Sequence, residues 1–447
     1  MRRALAALGL LVGGAWSVVA AETAPVSRPV ETVFPAQPQL PAVLDLAAAM
    51  RTFRTQGLDL LLADAAVAGA AGDESAARAV ANPSVSLGTG RTSTYEPSAC
   101  PGCSNKLFSA GLSDDGAVFD SLAGKRRLRI EVARAVLAAA RRSRADAERT
   151  VGLAVKQQYL AACLAKSSLG FTRQNAKAGA ETLHLVEARF HAGAVSEADV
   201  ARAESAKLEA DQAVDQAEQT LEQAKVTLAF LLGVRDGMSD FDVSDEFLRV
   251  AVPGRLGSAA RDDLVKEALA QRPDLQAADD QRARAEASLA LARRQRVPDV
   301  ALSLGYSEEG RGQNAIQPPT TTLGVTVGLP VFDQQQGEIA RARADLAAQE
   351  LQRTKLQAQV ISDVKGGWAG FTAARWRAER MESRLLGRTE RARDLVRIQY
   401  EKGAASLLEL LDAQRTLIAT RQEYLGNLND YWTAVFQLEA AVGTDLR

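Results

Sequence analysis

Two stretches in the second half of the chain alternate apolar and polar positions with a period of two. They cover residues 300–307 and 323–331, where mostly aliphatic residues alternate with Gly, Ala, Ser, Thr and one Pro. Fainter versions of this alternation occupy residues 84–88 and 108–112. A period of two predicts β-strands, and an aliphatic face opposite a small, polar face suits either a half-buried sheet or a sheet between lipid and water. The pattern therefore predicts about four strands, two in each half of the chain.

A very long proline-free segment with a helical pattern follows each pair of strands. The first runs from Asp120 to about Ala192 and the second from Gln334 to about Lys402. A helix of roughly 70 residues would be about 105 Å long, far beyond the average globular helix. A shorter return helix follows each, and in the second of these, apolar residues recur at every seventh position: Leu410, Leu417, Tyr424, Tyr431 and Leu438. This spacing is typical of coiled coils.

The two halves of the chain repeat one another at an interval of about 210 residues, which is too long for a solenoid repeat. A Phe-Asp-x-x-x-Gly motif leads into each long helix, at Phe119 and at Phe332, and each return helix ends in an apolar-Gly pair, at Gly233 and at Gly443. Shorter helices are predicted ahead of each strand pair, near residues 42–81 and 258–297, and we expect them to stack end to end with the return helices. The predicted organisation is a signal peptide (1–21), an extended proline-rich arm (22–41), a first repeat (42–233), a short irregular connector (234–257) and a second repeat (258–447).

The N-terminus predicts a targeting signal, and the charge balance and the missing motifs argue against several classes of function. Arg2 and Arg3, an apolar run and then Val19-Ala20-Ala21 predict a secretory signal peptide. Positive and negative side chains almost balance, with 54 Lys and Arg against 55 Asp and Glu, so we predict no nucleic-acid partner. The basic run 125–127 (Lys-Arg-Arg) is typical of a solvated helix face, and a position near the lipid interface is the alternative. The chain has no nucleophile elbow, P-loop, dinucleotide-binding or zincin motif, so we predict neither catalysis nor a cofactor.

The cysteines and histidines give little sign of a metal site. Cys100 and Cys103 form Cys-Pro-Gly-Cys in a loop, where a local disulfide is favoured in an oxidising compartment; a free pair and incidental metal capture are the alternatives. Cys163 lies in an apolar helical context and is predicted to be a small core residue. His184 and His191 are seven residues apart near a helix end, and for them solvent exposure is favoured over metal binding.

Four strands cannot close a membrane barrel on their own, because a barrel needs about eight strands or more and leaves no free edge. Two chains would supply about eight strands, whose interior is filled by side chains, whereas three would supply about twelve and leave room for a pore. The small, polar face of the strands suits a water-filled interior, so it favours a barrel shared by three chains. We therefore predict an α+β membrane protein, an internally duplicated trimer with a long antiparallel coiled-coil body and a shared transmembrane β-barrel of about 12 strands, four from each chain.

The residues around the second long helix resemble those of a known family. Residues 330–333 (Pro-Val-Phe-Asp) lead into the helix, residues 400–403 (Tyr-x-x-Gly) form the turn, and residues 407–414 (Leu-Leu-Glu-Leu-Leu-Asp-Ala-Gln) follow it. With the duplicated order, these motifs are similar to those of the TolC family of outer-membrane efflux channels, over about residue 42 to the C-terminus. The first half departs at residues 114–118 (Asp-Asp-Gly-Ala-Val), where a proline-containing strand end is expected.

The resemblance implies a homotrimer with a β-barrel of about 12 strands in the outer membrane, in contact with its lipid, and with an antiparallel coiled-coil α-helical barrel that forms a tunnel across the periplasm. It also implies docking of the helical turns onto a periplasmic adaptor (a membrane fusion protein) and an inner-membrane pump, for which we predict the RND type. The residues implied to contact the adaptor are Phe190, Gly193, Ala194 and Val195 in the first turn and Tyr400, Gly403, Ala404 and Ala405 in the second. Glycine permits the left-handed backbone of a tight helix reversal, whether or not anything docks there.

Three acidic residues just beyond the turns are candidates for a pore gate. Glu409 and Asp412 are three residues apart on one helix face, and Asp199 is in the equivalent region of the first half. A three-fold axis would gather such carboxylates into a constriction that attracts cations. The alternative is structural, since Ser196 and Asp199, like Ser406 and Glu409, have the spacing of a capping box. Capping does not explain Asp412.

We therefore predict a passive outer-membrane conduit of a tripartite efflux system that exports small solutes, either metal ions or drugs. The alternatives are an outer-membrane channel for type I protein secretion and a soluble periplasmic coiled-coil scaffold or adaptor.

Overall fold

A computed structural model of the chain describes residues 36–91, 98, 106–235, 241–309 and 319–446. The chain divides into two units, Met1–Gln37 and Pro38–Arg447, and only residues 36 and 37 of the first are described. The predicted signal peptide, most of the predicted arm, and both Cys100 and Cys103 lie outside the described residues.

Each half contains a short helix region, two strands, a long helix and a return helix. The first half comprises β1 (Val43–Leu44), α1 (Leu46–Gln56), α2 (Leu58–Arg78), β2 (Ser84–Arg91), β3 (Lys106–Ser113), α3 (Ala117–Leu122), α4 (Lys125–His191) and α5 (Glu197–Leu231). The connector carries β4 (Asp242–Val243). The second half comprises α6 (Gly254–Ser258), α7 (Arg261–Gln271), α8 (Pro273–Arg294), β5 (Val300–Glu309), β6 (Thr320–Val327), α9 (Gln336–Arg380), a π-helical segment (Met381–Leu386), α10 (Gly387–Glu401) and α11 (Leu407–Val442). The predictions of four strands and of two long helices with return helices are confirmed.

The four longer strands form one antiparallel sheet in the order β2-β3-β5-β6. Its register aligns like residues across all four strands, with one row of Val85, Leu112, Leu304 and Leu323 and the next row of Ser86, Gly111, Gly305 and Thr322. Because successive side chains point to opposite faces, one face of the sheet is aliphatic and the other is small and polar. The aliphatic face is open, with Leu323 80% exposed. Among the described residues, β2 and β6 each have one edge without a strand partner.

Residues 114–116, which depart from the family pattern, form a tight turn anchored on β5. The Asp114 amide donates to the Leu302 carbonyl (3.0 Å), and its carboxylate accepts from the Leu302 amide (2.7 Å). Asp115 and Gly116 both have positive φ, 49° and 82°. The side chain of Asp114 therefore ends β3 without a proline.

The short helices stack on the ends of the return helices, as predicted. The positive-φ residue Gly233, just after α5, lies against the backbone of Gln56 and Gly57 at the junction of α1 and α2. In the second half, Gly443 after α11 lies against Arg272 at the junction of α7 and α8. Each long helix is thus accompanied over its length by two shorter helices placed end to end.

The long helix of the second half is interrupted, contrary to the prediction of an uninterrupted helix to Lys402. The π-helical segment has wider turns than the α-helices on either side of it, and Gly387 directly follows it. The helix predicted near residues 42–81 is also two helices, because the backbone at Gly57 is extended.

The connector is more ordered than the irregular segment that the sequence predicts. β4 pairs in parallel with β1. Three side chains of α11 donate hydrogen bonds to backbone carbonyls in the segment that follows β4. These bonds run from Tyr424 Oη to Leu248 (3.2 Å), Trp432 Nε1 to Arg249 (3.2 Å) and Tyr431 Oη to Ala251 (2.8 Å). The connector is therefore fastened to the main core, where Phe247 packs edge-on against Trp432 and Phe436.

Lys125 is buried, so its predicted place on a solvated helix face is wrong. Its ammonium donates to the Val297 carbonyl and to the Asp299 carboxylate, both at 2.7 Å. These two acceptors lie where the chain passes from α8 to β5. Their hydrogen bonds compensate the buried ammonium for the water that it loses on burial. Among the described residues, each helix is either too short or too polar to cross a lipid bilayer.

Candidate functional site

The turns between the long helices and the return helices have one backbone geometry in both halves. Gly193 has φ of 72° and Gly403 has φ of 78°, which a glycine adopts without steric cost. In the first turn, the Gly193 amide donates to the Phe190 carbonyl (2.8 Å) and the Ala194 amide to the Arg189 carbonyl (2.9 Å). The second turn makes the same two bonds, Gly403 to Tyr400 (2.9 Å) and Ala404 to Gln399 (2.8 Å). Both turns are Schellman motifs, which end a helix and satisfy its last carbonyls.

A small hydrophobic cluster joins the two turns into one unit, which we call the tip. Its buried members come from four helices and are Val186, Ala203, Tyr400, Leu407, Leu410 and Leu411. Gly193, Ala194, Gly403 and Ala404 lie exposed at the end of the tip. Val195 and Ala405 are half-buried and pack on the cluster. Of the predicted docking residues, these six are thus brought together.

Tyr400 lies inside the tip rather than on its surface, with only 2% of its surface exposed. The Arg189 guanidinium stacks on its ring, 4.5 Å from the centroid, and donates to the carbonyls of Tyr400 (2.7 Å) and Glu401 (2.9 Å). Phe190, by contrast, is exposed. Arg189 therefore ties the end of α4 to the end of α10, a role that no motif in the sequence indicated.

Glu409 and Asp199 each form a complete capping box, so the structural alternative for these two residues is confirmed. The Glu409 carboxylate accepts from the Ser406 amide (2.7 Å) and hydroxyl (2.9 Å). These two hydrogen bonds, the backbone one first, lower the pKa of Glu409. The hydroxyl and amide of Ser196 lower the pKa of Asp199 in the same way. Both carboxylates therefore stay ionised and support the start of a return helix.

Asp412 is exposed on α11 and takes no part in a cap. It lines a shallow cavity of about 410 Å³ between α5 and α11, together with Arg202, Arg415, Leu408 and Leu411. Among the described residues, its carboxylate forms no ion pair, because Arg202 pairs with Asp199 and Arg415 with Glu209. Of the three predicted gate residues, Asp412 is therefore the one whose charge is not already used inside the chain.

The remaining sequence candidates fall outside this site. His184 and His191 are exposed on α4, and no group of three or more metal-ligating side chains occurs in the described part of the chain. Cys163 is fully buried in the main core, as predicted, and burial raises the pKa of its thiol to about 12.

The chain matches the family model described as outer membrane efflux protein. The match consists of two segments, residues 52–234 and 264–444, which fall one in each half of the chain and together cover most of it.

Two curated relatives and one solved structure extend this result. The cobalt-zinc-cadmium resistance protein CzcC of Cupriavidus metallidurans is 23% identical over 329 residues, which cover 72% of this chain and 74% of CzcC. The pyoverdine export outer membrane protein OpmQ of Pseudomonas aeruginosa is 27% identical over 324 residues, or 70% of this chain but only 65% of OpmQ. The open state of the Neisseria gonorrhoeae MtrE outer membrane channel superposes with a TM-score of 0.73 at 18% identity, covering 90% of this chain and 89% of that one. At this identity the superposition establishes the shared fold.

Proposed function

The chain belongs to the outer membrane efflux protein family, and we propose that it is the outer-membrane channel of a tripartite export system, with the energy supplied by an inner-membrane pump. The sequence's resemblance to outer-membrane efflux channels is confirmed by this membership. The protein is thus an outer-membrane efflux channel that extends into the periplasm, and the remaining questions concern its assembly, its partners, its gate and its cargo.

The observation that carries the proposed assembly is the open four-stranded sheet. Its aliphatic face is exposed in the single chain, and its two outer strands, β2 and β6, have free edges. Burying both edges and facing the aliphatic side to lipid requires strands from further copies, and three copies leave room for a pore. A homotrimer with a shared barrel of about twelve strands, lined by the small polar face, meets both needs.

Fractionation tests this proposal against the soluble scaffold. We expect the full-length protein in the outer-membrane fraction, as a detergent-extracted trimer that changes its mobility on a gel when heated. Release by osmotic shock as a detergent-independent monomer would contradict the channel and favour the scaffold.

We propose that the tip docks onto a periplasmic adaptor through its exposed small residues. Gly193, Ala194, Gly403 and Ala404 support this, because they are exposed in the two turns that the tip cluster joins, and their small size lets another backbone approach closely. Tyr400 would contribute from within, by holding the tip together.

Bulky side chains at these positions test the docking site. Ala194→Trp combined with Ala404→Trp is expected to abolish cross-linking to the adaptor while the trimer persists. The matched control is Gln216→Trp, at an exposed position of α5 well away from the tip. Unchanged cross-linking of the Ala194/Ala404 variant would place the docking surface elsewhere.

We propose that Asp412 contributes the cation-attracting charge of a constriction near the tip, with Glu409 in support. Three copies of a carboxylate without an ion-pair partner around one axis attract cations and repel anions. In planar bilayers, Asp412→Ala is expected to weaken cation preference, and adding Glu409→Ala to weaken it further or to raise conductance. Unchanged conductance and selectivity in the double variant would contradict the proposal that Asp412 and Glu409 form a gate.

We propose small solutes as the cargo and an RND-type pump as the energy source. The names of CzcC and OpmQ refer to metal resistance and to pyoverdine export, which supports efflux of small solutes without choosing between metal ions and organic compounds. Deleting the gene and measuring growth against cobalt, zinc, cadmium and a panel of drugs separates these two classes. Loss of a secreted polypeptide with unchanged resistance would instead support type I secretion.

A further inference from the structure

Near the tip, α5 and α10 are the outermost helices of the chain. α5 packs on α4, α4 packs on α11, and α11 packs on α10. The side of α5 that faces away from α4, and the side of α10 that faces away from α11, therefore have no helix of the described chain against them.

The outer side of α5, which we call the acidic face, carries four exposed carboxylates. Spacings of seven, eleven and seven residues place them on one side of the helix, and among the described residues they have no ion-pair partner: Glu197, Glu204, Asp215 and Glu222. Leu208 lies on the same side and is 59% exposed. The opposite side of α5 is the packed one, where an alanine is buried at every seventh position from 203 to 224.

The outer side of α10 and the π-helical segment, which we call the basic face, carries three exposed arginines. Arg384, Arg388 and Arg391 have no ion-pair partner among the described residues, and Leu395 (53% exposed) and Ile398 continue the same side towards the tip. The carboxylates of α10 add no free negative charge, because each is paired inside the chain: Glu390 with Arg421, Asp394 with Arg393 and Glu401 with Arg397.

We propose that the acidic face of one copy binds the basic face of the next, so that the wall of the tunnel near the tip is held by a charged seam between copies. This inference rests on the proposed function only in requiring several copies around one axis. The two faces differ, so the contact is head-to-tail, and rotation about an axis closes it into a ring. Leucines and isoleucine pack within the seam while carboxylates and guanidiniums of opposite sign meet around them.

The levels of the charges along the two helices agree with this pairing. Arg384 lies 17 residues before the end of α10 at Glu401, and Asp215 lies 18 residues after the start of α5 at Glu197. At about 1.5 Å per residue, each is roughly 25 Å from its end of the tip. The shared hydrophobic cluster holds the two helix ends at one level, so these two side chains meet when a second copy is placed beside the first.

Cross-linking in the assembled protein tests the seam. Cys100 and Cys103 are replaced by Ser, the buried Cys163 is kept, and Arg384→Cys is combined with Asp215→Cys. A short bifunctional maleimide is expected to give covalent dimers and trimers on a denaturing gel. Each single-cysteine variant is expected to stay monomeric there, because a head-to-tail contact never brings a residue against its own copy.

The matched control is Arg397→Cys combined with Asp215→Cys, because Arg397 is exposed on a different side of α10. It should give no covalent oligomer. Light scattering in detergent measures the oligomeric state in parallel, so that failure of the seam can be told from failure of the proposed channel. A trimer that does not cross-link overturns the seam and leaves the proposed channel standing, whereas a monomer overturns both.

Charge reversal gives an independent test. Replacing Arg384, Arg388 and Arg391 by Glu is expected to lower the temperature at which the trimer dissociates, and replacing Glu204, Asp215 and Glu222 by Arg to do the same, while the shared barrel keeps the copies together. Both sets in one chain should restore the dissociation temperature, which a folding defect would not allow. An unchanged dissociation temperature with either set alone contradicts the seam, and an unchanged temperature with loss of adaptor binding would assign these faces to the adaptor.

Discussion

Arg189 joins the two turns of the tip through three contacts with the last two residues of α10, Tyr400 and Glu401. Its guanidinium lies over the Tyr400 ring and donates to the last carbonyls of α10. Cations at a helix C-terminus are favoured by the helix dipole, and a cation over an aromatic face adds further attraction. The Arg189 side chain therefore links the ends of α4 and α10. This link fixes the positions of the two turns, with their exposed glycines and alanines, relative to each other.

Removing Arg189 should loosen the second turn selectively. Arg189→Ala is expected to cost about 1–3 kcal/mol of local stability, since hydrogen bonds from a charged donor are lost together with the stacking. The effect should appear as faster amide hydrogen exchange at residues 398–405. Arg202→Ala is the control, because that arginine is 60% exposed and pairs only with Asp199. Equal exchange in both variants would show that Arg189 does not hold the turn.

The capping box at Ser406 predicts a pH dependence. Hydrogen bonds from Ser406 lower the pKa of Glu409, so this cap stabilises the folded chain above the unfolded-state pKa and is lost as the pH falls through the lower folded-state pKa. Ser406→Ala should return the Glu409 pKa towards its ordinary value and weaken the helix start by about 1 kcal/mol. Carboxyl NMR titration of Glu409, in the parent protein and in the variant, measures the shift. An unchanged Glu409 titration in the variant would contradict the assignment.

The local signals of the tip residues were readable in the sequence, but their partners were not. Serine three residues before a carboxylate predicted both capping boxes, and glycine predicted both left-handed turns. Tyr400 and Arg189 are 211 residues apart, so their contact depends on how the two hairpins pack, which no local pattern contains. Lys125 was misplaced for the same reason, because its acceptors at Val297 and Asp299 come from the other half.

At the scale of elements, the end-to-end stacking of helices decides where a glycine is indispensable. Gly193 and Gly233 both end a helix with positive φ, 72° and 88°. A Cβ on Gly193 would meet nothing within 4 Å, whereas a Cβ on Gly233 would collide with the carbonyl oxygen of Gln56. The return helix can therefore approach the start of α2 only because its last turn has no side chain there.

This difference predicts unequal effects of one substitution. Gly193→Ala should cost about 1–2 kcal/mol, the strain of a left-handed alanine. Gly233→Ala should cost clearly more, because the backbone of Gln56 has to move as well. Thermal unfolding of the detergent-solubilised protein measures both, and equal shifts in Tm would contradict the close contact.

Periodicity predicted the long elements well and their interruptions poorly. The seven-residue spacing of α11 is borne out by the burial of all five residues that defined it. The π-helical segment carries no proline, and its sequence is compatible with a regular helix, so only packing distinguishes it. The composition of the connector predicted an irregular segment. That prediction missed its order, because the order comes from hydrogen bonds donated by α11 rather than from the connector's own residues.

At the scale of the whole molecule, the sheet and the helical body are incomplete in the same way. The sheet has two free edges, and near the tip the helices have two unmatched charged faces. Both gaps lie at the sides of the chain and both are filled by adding further copies around one axis. The duplication explains how one chain supplies two hairpins and four strands to such a ring, and the period-two pattern was sufficient to predict that the strands come from a shared assembly.

The two faces of the sheet give the sharpest test of this arrangement, because adjacent residues of β6 should respond in opposite ways to the same substitution. Leu323 is on the aliphatic face that we assign to lipid, and Thr322 is on the small polar face that we assign to the pore. An arginine facing lipid costs about 2–4 kcal/mol near the bilayer midplane, whereas an arginine facing a wet lumen keeps its hydration. Leu323→Arg is therefore expected to reduce the heat-modifiable trimer in outer membranes, and Thr322→Arg to leave it intact while changing ion selectivity. The reverse result would mean that the aliphatic face is covered by protein, and the channel would then need a different wall.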